Sequence, residues 1–310
     1  MYPPLAKGGW GDLQMNKKTV AIIGAGRVGS AVGALLAKAG YVIRAVTART
    51  KGSAEGAQAF IGAQEAATDP VGAATGAGIV FITTPDRAIR DVSEKLAAGK
   101  ALVAGTVVVH MSGAHSLDLL DAAATAGAFR AVLHPLQSLA SREQGVANLP
   151  GSYFRIEADA GALETARELV KALGGIELKM PGWTSDAHSA MLYHAGAVAV
   201  SNYFVALVDY GLKFYEKLGA DRSEALTAVL PLIRGTLRNI EAVGIPDALT
   251  GPIARGDAST VRDHIAAMEA RAPELLDLYR QLAAQTVAVA QQRGSLSEES
   301  VRELLLVIKK

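Results

Sequence analysis

A chain of 310 residues, 50% hydrophobic and 20% charged, can bury a substantial core and has room for two ordinary domains. Its 31 basic and 30 acidic side chains leave a formal net charge of +1, which gives no broad basic field for nucleic acid or anionic lipid. With no cysteine, the chain has no disulfide, iron–sulfur cluster, thiolate zinc site or cysteine nucleophile, a composition that fits the cytoplasm.

Residues 1–16 contain no apolar segment of the signal-peptide kind and read as a leader outside the fold. Residues 17–181 alternate short β-rich runs with Ala-rich helical stretches. Strands are expected at Thr19–Ile23, Val42–Thr47, Ile79–Thr83, Val107–Met111, Phe129–Leu133, Tyr153–Glu157 and Ile176–Met180. Helices at Val28–Ala39, Ala88–Leu96 and Ala162–Leu173 fall between them. This order predicts a doubly wound α/β (Rossmann) domain, a parallel sheet with helices on both faces.

After Pro181 the strand signals stop, and residues 182–310 read as an all-α domain. One helix is expected from Thr184 or Ser185 to Leu218, roughly 50 Å long at 1.5 Å per residue. Its apolar run Ala190–Val208 approaches membrane-spanning length. His194, Ser201 and Asn202 inside it, and Asp186 and Asp209 beside it, favour a helix buried in a soluble core. Further helices are expected after Asp221 (kinked at Pro231), from Asp257, from Pro273 and from Ser297.

The first strand runs into Gly24-Ala25-Gly26-Arg27-Val28-Gly29, a GxGxxG sequence between a strand and a helix. In that position Gly24 allows the tight turn, Gly26 lets a pyrophosphate approach the backbone, and Gly29 lets the helix pack on the sheet. The helix N-terminus then offers free N–H groups to the phosphates. The second strand ends Thr47-Ala48-Arg49-Thr50-Lys51, without the acid that would bind a ribose hydroxyl. Arg49, aided by Thr47, Thr50 or Lys51, suits a 2′-phosphate, so NADP(H) is expected rather than NAD. Thr83, Thr84 and Pro85 close a third strand at the ligand edge and can line the nicotinamide half. Asp86 is equally suited to capping the next helix.

Two further strand ends carry His110-Met111-Ser112-Gly113 and His134-Pro135-Leu136-Gln137-Ser138. Histidine can donate a proton to a nascent alkoxide and serine can bind a carbonyl oxygen, so Ser112, His134 and Gln137 are candidate substrate-site residues. His194, Ser201 and Asn202 on the long helix are candidates as well, with helix–helix hydrogen bonding as the alternative. The loop Thr250–Asp257 places Arg255 near a helix N-terminus, suited either to a carboxylate or to a pair with Asp257. There is no Tyr-x3-Lys pair, GxxxxGK[ST] loop, GxSxG elbow or HExxH, and the histidine spacings do not favour a metal site.

GAGRVG, TTPD, HMSG, HPLQS, YHAGAVAVSN and TGPIARGD together resemble a family of provisionally named NADP oxidoreductases, over about residues 17 to 300. That family joins a Rossmann-like N-terminal domain to a helical C-terminal domain of formerly unknown function. It is related to ketopantoate reductase, pyrroline-5-carboxylate reductase, prephenate dehydrogenase and F420-dependent NADP reductase. The resemblance implies a C-terminal domain of the 6-phosphogluconate dehydrogenase type, a homodimer formed through it, and reduction of a small 2-oxo acid such as ketopantoate. Imine or F420-linked reduction, and a non-catalytic NADP(H) sensor, are the alternatives. Ketopantoate reductases carry a catalytic Lys four residues before an Asn on the long helix. Here Val198 precedes Asn202 at that spacing, which leaves His134, His194 or water as the proton source.

Overall fold

The computed structural model describes residues 19–309, so the expected leader at 1–16 lies outside the described residues. The first half of the chain runs β1 (Thr19–Ile23), α1 (Arg27–Lys38), β2 (Val42–Thr47), α2 (Lys51–Ile61), β3 (Glu65–Ala67), α3 (Pro70–Ala74), β4 (Ile79–Ile82) and α4 (Ile89–Ala98). Then follow β5 (Val107–His110), α5 (Asp121–Thr125), β6 (Phe129–Pro135), α6 (Arg142–Asn148), β7 (Tyr153–Ala158), α7 (Leu163–Ala172) and β8 (Ile176–Glu177). Helices α8 (Ala187–Val200), α9 (Asn202–Lys217), α10 (Arg222–Val243), α11 (Ala258–Arg271), α12 (Leu276–Gln292) and α13 (Glu298–Lys309) complete it.

The strands form one eight-stranded sheet in the order β3-β2-β1-β4-β5-β6-β7-β8. The order reverses between β1 and β4, which is where open α/β sheets bind ligands. Neighbouring residues of β1 serve opposite faces. Val20 and Ile22 enter one core with Phe81, Val109 and Leu133, while Ala21 and Ile23 enter another with Val80, Ile82 and Val108. Burial on both faces explains why these strands read as unbroken apolar runs.

The sheet departs from the expected one in two ways. Strand β3 escapes sequence reading because Glu65-Ala66-Ala67 is short and lacks β-branched residues. Strand β7 runs antiparallel to β6 instead of parallel, with His134 opposite Arg155 in the register. The only helix between them, α6, is seven residues, or about 10 Å, too short to carry the chain back along the sheet.

The chain forms two compact units that divide between Ser201 and Asn202, later than the boundary expected after residue 181. Helix α8 therefore belongs with the sheet. Asp186 caps it by accepting from the Ser189 N–H. Ser185, an expected cap, instead donates to Glu157 on β7 and ties the start of α8 to the sheet. The expected single long helix is interrupted at Ser201, whose φ of −117° and ψ of −71° leave helical geometry after the weak helix formers Val198 and Val200.

The expectation of a core helix does not hold over this run. The stretch Ala187–Lys217 is long and apolar enough to cross a membrane by length and composition, yet none of its most apolar window is buried. Leu192 is 77% exposed and Val205 69%. A helix apolar on every side needs more cover than one packing surface supplies.

In the second unit the core comes from the last three helices, where Val261, Ile265, Val287, Ala290, Leu304 and Ile308 meet. Asp221, Asp257 and Ser297 each accept a backbone N–H at a helix start, as expected from sequence. Pro231 lies inside α10 without ending it.

Candidate active site

The glycine loop follows β1 at the switch point. Gly24 has a φ of +98°, and a Cβ there would stand 2.8 Å from the Thr84 nitrogen. A Cβ at Gly29 would stand 2.4 Å from Thr83 Oγ1 and 2.8 Å from the Gly24 oxygen, whereas one at Gly26 would meet nothing within 4 Å. The three glycines thus divide into a turn, an open approach and a tight helix–strand contact. Gly26 caps α1 without a side chain, so the helix N-terminus stays available to an anion.

A cavity of about 400 Å³ lies against this loop, bounded by Gly26, Arg27, Ser53, Ser141 and Arg142. Arg142 was not foreseen. Its guanidinium sits 4.6 Å above the Phe60 ring and donates to the Gly56 oxygen. Among the described residues Arg49 makes no hydrogen bond or ion pair, and it is exposed on the turn after β2.

The expected helpers of Arg49 have other work. Thr47 is buried, and its hydroxyl and carbonyl oxygens accept from the Gly24 N–H, with the carbonyl also accepting from Ala25. Thr50 caps α2, and Lys51 pairs with Glu55 at 3.8 Å. Thr83 donates to the Gly24 oxygen at 2.9 Å. Thr84 is different: its Oγ1 is buried with no partner. Pro85 is exposed beyond it, and Asp86 accepts from Ser112 Oγ at 2.8 Å rather than capping a helix.

The second group of polar residues gathers around the ends of β5 and β6. A Cβ at Gly113 would stand 2.6 Å from His134 Nε2 and 2.8 Å from His194 Nδ1, so the two imidazoles converge where that side chain is missing. His194 Nδ1 is buried without a partner. His134 Nδ1 lies 2.9 Å from the Tyr193 hydroxyl, and the rings meet edge to face. Burial first, then the nearby Arg155, His194 and His110, push the His134 imidazole down to about 3. His110 is held by Ser116 O on Nε2 and the Ser112 N–H on Nδ1, and burial pushes it down to about 4.

Beneath these rings lies an ion pair that sequence reading missed. Arg155 and Glu157 on β7 are buried, with Nη1 and Oε2 3.4 Å apart. Arg155 also donates to the Ser112 and His115 carbonyls, and its guanidinium stacks 4.7 Å from the Trp183 ring and 5.4 Å from Tyr193. Glu157 accepts from Ser116 and Ser185 as well. A charged pair two residues apart within an apolar strand was the available signal, since both then share one face of the sheet.

Gln137 lies away from this cluster, and the other two expected substrate-site residues belong to the second unit. Gln137 is exposed at the β6–β7 edge, where its amide donates to Asn148 O and Ser152 Oγ, because the chain turns outward after Pro135. Asn202 opens the second unit and is exposed. Arg255 is exposed at the end of a short 3-10 turn in that unit; the hydrogen bonds from Thr260 and then Ser259 hold the Asp257 carboxyl low, with the Arg255 charge a lesser contribution.

A switch-point glycine loop facing a cavity, on a doubly wound sheet followed by helices, defines a Rossmann-type protein with a helical C-terminal region. Residues 3–135 match the Rossmann-like domain, and residues 152–286 match a domain of unknown function, DUF2520. The chain therefore carries the domain pairing of the family that its motifs resemble. The second match begins before β7, so that domain supplies the Arg155–Glu157 pair, Tyr193 and His194.

Several solved structures share the fold. The protein BF3122 of Bacteroides fragilis, provisionally named an NADP oxidoreductase, is 20% identical with a TM-score of 0.68, over 88% of this chain and 99% of its own. TM1727 of Thermotoga maritima is 23% identical at 0.67, with the same coverage. An imine reductase of Streptomyces aurantiacus is 19% identical at 0.55, over 93% and 99%. No curated protein matches the chain in sequence.

Proposed function

We propose that the chain is an NADPH-dependent oxidoreductase that reduces a small carboxylic substrate, a 2-oxo acid of the ketopantoate kind. The observation that carries this reading is the meeting of His134 and His194 at Gly113, at the ends of the strands beside an open glycine loop. The buried, unpartnered Thr84 Oγ1 and His194 Nδ1 are the polar atoms such a ligand would satisfy.

In this reading Gly24–Gly29 hold the pyrophosphate, Arg49 the 2′-phosphate, and Thr83, Thr84 and Pro85 the nicotinamide half. NADPH bound there supplies a hydride. The protein's own part is to orient the carbonyl and deliver a proton to its oxygen from the histidine pair, since no lysine stands at position 198. Ser112, already donating to Asp86, fixes the loop between β5 and the site.

Imine reduction is the second reading, favoured by the imine reductase among the similar folds. We further propose that a second copy of the chain covers the apolar surface of α9 and α10, where Tyr203, Val205, Leu232 and Val243 are exposed.

The test is titration of wild type and Arg49→Ala with NADPH and NADH. Wild type is expected to prefer NADPH, and Arg49→Ala to lose that preference by about tenfold, the equivalent of ~1.4 kcal/mol. Failure of both nucleotides to bind would end the oxidoreductase reading. A screen of 2-oxo acids against cyclic imines then chooses between the two chemistries.

A further inference from the structure

We infer that Tyr193, His134 and Arg155 form a proton relay: Tyr193 holds His134 with its proton on Nε2, and Arg155 steadies the charge left on the phenol oxygen. This rests on the carbonyl or imine reduction proposed above.

The geometry sets the direction. The Tyr193 hydroxyl is 2.9 Å from His134 Nδ1, which leaves Nε2 on the opposite side of the ring, next to Gly113. Burial raises the Tyr193 hydroxyl to about 12, so it keeps its proton and can donate it. A neutral imidazole that accepts at Nδ1 carries its own proton on Nε2. Arg155 lies opposite His134 in the β6–β7 register, with its guanidinium 5.4 Å from the Tyr193 ring.

The same surroundings exclude a simpler role. His194 on α8, His110 on β5 and Arg155 on β7 all face His134, and none is an acid. The ring therefore stays neutral at physiological pH and is not a stored imidazolium. A neutral imidazole is a competent donor only if its other nitrogen is reprotonated as the first proton leaves, and Tyr193 is placed to do this.

The step balances. With the reduced nicotinamide bound, a hydride from it would add to the substrate carbon and the carbonyl π pair would move to oxygen. That oxygen takes the Nε2 proton, and Nδ1 takes the Tyr193 proton. The resulting phenolate faces Arg155 until solvent returns a proton. The substrate gains a hydride and a proton, and the nicotinamide is oxidised.

The test is 15N imidazole NMR on the full chain without substrate, with the His134 signals assigned by their loss in His134→Gln. Between pH 5 and 8, wild type is expected to show a protonated Nε2 and a bare Nδ1, and Tyr193→Phe to lose that fixed tautomer. A proton on Nδ1 in wild type overturns the relay. In turnover, Tyr193→Phe is expected to fall about 100-fold in kcat, with KM and NADPH affinity unchanged. Wild-type kcat in that variant also overturns it. A wild type that binds NADPH yet reduces neither 2-oxo acids nor imines fails the proposed reduction itself, and the relay falls with it whatever the tautomer.

Discussion

At the glycine loop the decisive atoms are the missing ones. A Cβ at Gly29 would collide with Thr83 Oγ1, and the loop is tied to β2 and β4 by short contacts from Thr47 and Thr83. At the histidine cluster the decisive atoms are distant side chains. His134 and Tyr193 are 59 residues apart, and Arg155 reaches them from an antiparallel strand. Both groups belong to the same sheet. One is a shape set by the side chains that one loop lacks, and the other is a charge arrangement of side chains brought from three elements.

The largest way to break this comparison is Arg155→Met. It leaves Glu157 buried without its cation, and unfolding is expected to cost about 3–5 kcal/mol less, measured by urea denaturation. Adding Glu157→Gln is expected to recover part of that loss. A loss within 0.5 kcal/mol for the single change would mean that the cluster is not held by charge.

Gly29→Ala tests the other side. Overpacking against Thr83 and the Gly24 oxygen is expected to lower stability by about 1–3 kcal/mol, and nucleotide affinity with it. A variant with unchanged affinity would show that the loop's shape is more forgiving than its contacts.

pH acts on the histidine cluster and not on the glycine loop. Folded His134 and His110 are pushed down to about 3 and about 4, whereas the unfolded chain binds protons near 6.5. Between those values the unfolded state holds more protons. Stability present above pH 6.5 is therefore lost as pH falls, by about 1.4 kcal/mol per pH unit for each imidazole. Thermal unfolding from pH 7 to 4.5 in wild type and His134→Gln measures this. An equal acid slope in both would remove His134 from the account.

The same contrast explains what the sequence discloses. Gly24, Gly26 and Gly29 stand within six residues of a strand end, and local sterics dictate their roles, so the loop can be read directly. That the Thr47 hydroxyl accepts from the Gly24 N–H is visible only once β2 lies beside β1. Gln137 shared a strand end with His134, but the outward turn after Pro135 separates them. Tyr193 opens the YHAGAVAVSN run but was not singled out there, and Arg155 shows only its two-residue spacing from Glu157, because the partners of both come from distant elements. Helix α8 read as part of a helical domain because its links to the sheet, Ser185 with Glu157 and Tyr193 with His134 and Arg155, are all long-range contacts.

The reversed strand β7 has a consequence for how the protein can change. Arg155 and Glu157 point to the polar cluster, while Phe154 before them lies in an apolar core on the other face and Ile156 between them packs against that core. Adding or deleting one residue before Arg155 would slip the alternation and exchange the two faces, placing a guanidinium in oil and a phenyl ring under the histidines. A substitution at one position leaves the opposite face in place, whereas a frame shift in the strand exchanges both at once.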